Sequence, residues 1–189
     1  MLTALLALLA LLALLAGSGA AQALQYDGPP EDYAPYQPQT TCRKAPRPGT
    51  VELAAWIDHR FSGGHATASM RPCDSGGTSE HKDGRAIDWS MDATRKKDRR
   101  EVTRFLDTVF ADDGGGYSDA LARRMGVMYV IWNDHMYASY DAFARRDYLS
   151  SSCPSVKKCS ATLRHRDHVH ISLSKPGGRG VTSWYLAHG

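Results

Sequence analysis

The chain has 189 residues and a formal net charge of +3. That length suits one domain with a full hydrophobic core. The mild basic excess favours an anionic surface such as a cell wall and does not call for nucleic acid. The densest basic run, Arg95-Lys96-Lys97-Asp98-Arg99-Arg100, is broken by an acid and opens a helical pattern, so it reads as a solvated helix face.

Taken in chain order, Leu2 to Ala16 is an unbroken Leu/Ala stretch, followed by small residues and Ala21-Gln22-Ala23. This fits a signal peptide over 1–23. The apolar run is shorter than the ~20 residues that span a bilayer. No second run of that length follows, so the mature chain is expected to be secreted, extracellular or in the cell wall, with no transmembrane segment. Residues 24–49 hold Pro29, Pro30, Pro35, Pro38, Pro46 and Pro48, a density that excludes helix and central strand and reads as an extended tail lying on or beyond the domain. The domain itself is placed at 50–189. A helix is expected from an N-cap at Thr50 through Val51-Glu52-Leu53-Ala54-Ala55-Trp56-Ile57 to Gly63-Gly64. The Gly, Ser and Pro content of 67–79 marks a loop.

A strand is expected at Arg85-Ala86-Ile87-Asp88-Trp89-Ser90-Met91. A second helix begins at Asp98, with Val102, Phe105, Leu106, Val109 and Phe110 on one face, and ends at Gly114-Gly115-Gly116. A third helical piece covers Ser118 to Arg124. Gly126 to Trp132 is a continuous apolar, β-branched run of the kind buried on both faces of a sheet. His168-Val169-His170-Ile171-Ser172-Leu173-Ser174 alternates, with Val169, Ile171 and Leu173 for the core and His168, His170, Ser172 and Ser174 on the other face. Short strands mixed with helices in no βαβ rhythm predict an α+β domain with a small, mainly antiparallel sheet flanked by helices.

Four cysteines, Cys42, Cys73, Cys153 and Cys159, are an even number in an exported chain and predict two disulfides. Of three possible pairings, Cys153–Cys159 closes a short loop and Cys42–Cys73 ties the tail to the domain, and these are favoured. The CxxC pairs of a four-cysteine zinc site are missing.

The chemistry centres on two segments. Histidines at i and i+2 of a strand project to one side about 7 Å apart, so one can bind a metal while the other reaches its water. His81 and Asp88, seven residues apart across a turn containing Gly84, can converge on the same ion as His170. Two imidazoles and a carboxylate would leave zinc a position open to water. His168 is the candidate base, with Asp167 as the alternative. Arg71 could pair with a substrate carboxylate through its planar fork, or be an ordinary loop arginine. His165 is either a partner that orients a ligand or a solvated strand-edge residue. Trp89, Trp132, Tyr129 and Trp184 are assigned mainly to the core. No GxSxG elbow is present, and bridged cysteines leave no thiol nucleophile.

Ser79-x-His81-x-x-Gly84-x-Ala86-x-Asp88 followed by His168-x-His170 resembles the paired motifs of the zinc peptidase superfamily of lysostaphin-type endopeptidases, D-Ala-D-Ala carboxypeptidases and the hedgehog domain. The resemblance implies that fold, with zinc bound by His81, Asp88 and His170 and Ser79 helping to hold substrate. It leaves Asp167 or His168 as the base, since the two branches differ there. Gly84 to Trp89, Met125 to Asn133 and His165 to His170 also resemble a group of secreted actinobacterial domains of unknown role. The expectation is a monomeric zinc peptidase cutting peptidoglycan peptides, as a carboxypeptidase or an endopeptidase. The alternative is an inactive module on the same fold that binds cell wall or protein.

Overall fold

Six strands form one antiparallel sheet in a computed structural model that describes Tyr26 and residues 28–188; the signal-peptide segment 1–23 lies outside them. The strands are β1 (Ala66–Thr67), β2 (Ala86–Trp89), β3 (Val127–Trp132), β4 (His135–Ala138), β5 (Arg145–Asp147) and β6 (Val169–Leu173), and their order across the sheet is β1-β2-β6-β3-β4-β5. Helices α1 (Pro48–Arg60), α2 (Lys96–Val109), α3 (Ala120–Arg124), α4 (Lys175–Arg179) and α5 (Ser183–His188) complete an α+β domain. Among the described residues no helix is long and apolar enough to cross a membrane.

The period-two alternation of β6 decides how the sheet is used. Val169, Ile171 and Leu173 join Ile87 and Trp89 of β2, Val127, Val130 and Trp132 of β3, and the inward residues of the helices in one core. Leu53, Ala54 and Ile57 come from α1, and Val102, Phe105 and Val109 from α2, each at the three-to-four spacing that puts apolar groups on one helix face. Phe61, Trp89 and Phe105 pack edge-on or tilted at centroid distances of 5.4–5.9 Å. The opposite face carries Ala86, Asp88, His170 and Ser172, because cross-strand partners share a face: Asp88 stands opposite His170 and Ala86 opposite Ser172. That polar face is also covered, for all five residues of β6 are buried.

Helix α1 begins at Pro48, not at a Thr50 cap. Proline's fixed φ and missing N–H suit the first helical position, and the Thr50 hydroxyl donates to the Gly84 carbonyl at 2.7 Å instead. The tail lies along the domain as a strap. Glu31 accepts from the Ser183 hydroxyl at 2.8 Å, Tyr33 donates to Asp119 at 2.7 Å, and Arg43 and Arg47 donate backbone N–H groups to the carbonyls of Lys82 and Gly84 at 2.8 and 2.9 Å. Disulfides join Cys42 to Cys73 and Cys153 to Cys159.

Candidate metal centre

Residues 79–85 make a single tight turn whose end is set by chemistry legible in the chain. Arg85 donates its N–H to the Glu80 carbonyl at 2.9 Å and Gly84 donates to the His81 carbonyl at 3.2 Å, the paired bonds of a helix-terminating motif. That motif needs a left-handed residue, and Gly84 has φ of 68°. A β-carbon there would also stand 3.0 Å from the Ala45 carbonyl of the strap. The turn presents His81 and feeds the chain into β2, which carries Asp88 beside His170.

The three expected ligands are brought together. His81 Nε2 lies 3.1 Å from His170 Nδ1 and 3.3 Å from Asp88 Oδ1, and His170 Nδ1 lies 3.2 Å from the same oxygen. Ligand atoms around a tetrahedral zinc at about 2.0–2.1 Å stand about 3.3–3.4 Å from one another, so the triangle has the right size for a metal ion. The outer nitrogens orient the rings. His81 Nδ1 faces the Ser69 carbonyl at 3.0 Å and must donate to it, and His170 Nε2 faces the Ser172 hydroxyl at 2.8 Å. The Ser69 hydroxyl donates to the second oxygen of Asp88 at 2.9 Å. Two imidazole nitrogens and a carboxylate oxygen thus converge on one point, an arrangement suited to a cation or a proton at its centre.

The electrostatics agree. Burial raises Asp88, but its contacts with His170 and His81 outweigh this and hold the carboxyl well below its ordinary range. Burial lowers His170. His81 is also penalised by burial, yet Asp88 and the Ser69 carbonyl raise it above its ordinary value. The two imidazoles that share one carboxylate are thus shifted in opposite directions.

His168 is close by, with Nδ1 2.7 Å from Asp167 Oδ1 and Nε2 3.7 Å from Asp88 Oδ1. Asp167 also accepts from the Thr162 hydroxyl at 2.5 Å, so both of its carboxylate oxygens are engaged. His165 sits in the centre's wall, its ring 4.8 Å from that of His168 and 5.5 Å from that of His170. Its Nδ1 is buried without a partner among the described residues, and burial together with the two neighbouring imidazoles pushes it down to about 3. Ser79 is buried and its backbone N–H donates to Gln39 of the strap at 2.8 Å, whereas Arg71 is exposed.

Sequence reasoning gave no role to Ser69, Glu80, Tyr129 or Ser172 in this centre. Alternation along β6 does place Ser172 on the ligand face. Tyr129 had no such signal, because it arrives there through an irregularity in the pairing of β3 with β6 between Val127 and Tyr129. The extra residue shifts the alternation and sets Tyr129 opposite Ser172.

A family model described as VldE, C-terminal domain, matches residues 42–152, more than half of the chain. The chain belongs to that family. The VldE C-terminal domain match includes His81, Asp88 and the turn between them, and it ends before the segment from His165 to His170. No curated protein and no solved structure gives a match.

Proposed function

We propose that the protein is a secreted zinc peptidase that hydrolyses peptide bonds of peptidoglycan. The observation that carries this reading is the 3.1–3.3 Å triangle of His81, Asp88 and His170 with a carboxylate-oriented imidazole, His168, at its edge. His81 Nε2, His170 Nδ1 and a carboxylate oxygen of Asp88 would hold the ion. Bound there, zinc supplies Lewis acidity sufficient to polarise an amide carbonyl and to acidify water near neutral pH. His168 then handles the proton. Its Nδ1–H donates to Asp167, which leaves Nε2 free to take a proton from the attacking water and return it to the departing amine. With Asp167 engaged by His168, the histidine is the base in this reading. Arg71, exposed in the loop ahead of the turn, is assigned to the substrate carboxylate, and buried Ser79 to holding the turn against Gln39. The two disulfides fit an oxidising, extracellular setting.

A second reading, a closed zinc site in a module that binds cell wall or protein, is favoured by the burial of His170, 7% exposed. Purified peptidoglycan incubated with the zinc-loaded chain separates the two. The peptidase releases peptides detectable by mass, and His168→Ala lowers turnover about 10²–10⁴-fold while retaining zinc. Zinc bound with no release of peptide leaves the binding module.

A further inference from the structure

Helix α2 packs Val102, Phe105 and Val109 into the core with Val169, Ile171 and Leu173 of β6, whereas Asp88 and His170 stand on the other face of the sheet. Its outward face therefore lies on the side of the molecule away from the candidate metal centre. That face concentrates charge. Arg95 to Arg104 holds six cations, Arg95, Lys96, Lys97, Arg99, Arg100 and Arg104, and two acids, Asp98 and Glu101, a net of +4. The whole chain is only +3, so outside these ten residues it is net negative. The basic excess of the protein sits in one place, where it raises the local potential.

Few of these cations have internal partners. Arg95 pairs with Asp92 and Arg104 with Glu101, while Lys96, Lys97, Arg99 and Arg100 are exposed and enter no ion pair among the described residues. Asp98, the one acid of the first turn, is buried and accepts from the Asp92 backbone N–H at 3.0 Å, so it is turned inward. Cations in a first turn oppose the helix dipole, whose N-terminal end is already positive. The local charge choice thus runs against folding, as expected where a surface serves a ligand. Lys96, Arg100 and Arg104 follow one another at i, i+4 and i+8 with Arg99 beside them, and these four rim one open hollow. At a rise of about 1.5 Å per residue the row is about 12 Å long. An extended polymer with evenly spaced negative charges can lie along it, whereas a compact anion would meet only part of it.

We propose that the outer face of α2 binds a linear phosphodiester polyanion of the cell wall, and so holds the protein to the wall with the opposite side of the sheet free. Two disulfides fit an oxidising, extracellular setting in which such a polymer is met. Neither the metal nor hydrolysis enters this binding.

The test is binding of the full chain to soluble poly(glycerol phosphate) by fluorescence anisotropy across a salt series, with single-stranded DNA of equal charge as the comparison. Three or four ionic contacts predict an affinity that falls about 20–50-fold between about 0.05 and about 0.2 M salt. Arg100→Gln, an exposed change, should weaken binding about fivefold near 0.1 M salt, and Lys96→Glu with Arg100→Gln about 25-fold or more. The unfolding midpoint of the double variant should stay level or rise, because a carboxylate in the first turn suits the dipole. Opposite signs for binding and stability separate lost contacts from lost folding. Zinc-loaded and metal-free protein should bind the polymer alike, so failure of the metal reading leaves this one standing. Three results would each overturn the proposal: no binding of wild type at about 0.05 M salt, both variants within about twofold of wild type, or DNA bound more than about tenfold tighter than the polymer.

Discussion

Two loops meet at the candidate metal centre, and they are built differently. The turn 79–85 is buried almost throughout, with Asp83 and Arg85 both 0% exposed. It is braced from both sides: Arg85 donates to Asp83 at 2.9 Å, to the Leu173 carbonyl, and to the Gln37 carbonyl of the strap at 2.8 Å, and Asp83 also receives the Thr41 hydroxyl. The segment from Ala161 to His168 lies mostly at the surface; Thr162, Leu163 and Asp167 are exposed. Around His168 its side-chain contacts are local, Thr162 to Asp167 and Asp167 to His168, while Arg164 anchors the segment on the Asp134 carboxylate at 2.7 and 2.8 Å. His81, a proposed ligand, thus sits on a preorganised frame, whereas His168 is oriented by a partly exposed chain of side-chain contacts. Affinity and folding should depend on the first loop, and proton handling on the second.

The largest effect expected of any single change is loss of the metal itself. His81→Ala and His170→Ala should reduce bound zinc from about one per chain to none, measured by plasma mass spectrometry on the purified chain. Retained stoichiometry in either variant would break the assignment of that ligand. Next comes Arg85→Ala. It leaves Asp83 without its closest cation in a fully buried position, a change that costs about 3–5 kcal/mol in comparable pairs. Urea unfolding should report that loss in the metal-free protein, together with weakened zinc binding because the turn carries His81. A loss below about 1 kcal/mol would mean that the turn is not the rigid half of the site.

The same pair gives a pH dependence. Burial raises Asp83, but the Thr41 hydroxyl, Arg85 and Arg47 pull it below its ordinary value by more. A carboxyl lowered in the folded state contributes stability that is fully present above the unfolded value near 3.9, and that is lost as pH falls through the folded one. Metal-free wild type should therefore lose stability on acidification from about pH 5 to pH 3 more steeply than Asp83→Asn does, as read by unfolding midpoints. Parallel slopes would assign the acid sensitivity elsewhere.

How much of this was legible follows the same division. His81, Asp88 and His170 could be read because glycine at the end of a turn and strict alternation in a strand both leave marks in sequence. The disulfide pairing was open to spacing. The hairpin of β3 and β4 had a signal that went unread: Asn133-Asp134 separates the two strands, and both residues have positive φ, 48° and 67°. Ser174 followed by Pro176 likewise marks α4, where the Ser174 side chain caps the helix by accepting from Gly177. Tyr129 and Glu80 were not legible, since a continuous apolar run hides a bulge and a motif residue between two assigned positions carries no orientation. The strap's place on the domain depends on single long-range contacts, such as Gln39 with Ser79, that no local pattern encodes.

The smallest effect on folding is expected at Asp167, and it sharpens the contrast most. Its side chain is 47% exposed and its partners are Thr162 and His168. Exposed pairs of this kind add little to stability. Asp167→Asn should therefore leave the unfolding midpoint and the zinc affinity unchanged. What it removes is the charge that holds His168 Nδ1–H in place. Peptide release should fall, by less than in His168→Ala, because the imidazole remains. A fall in zinc affinity of about tenfold or more would place Asp167 in the metal frame, and the two loops would then be one functional unit.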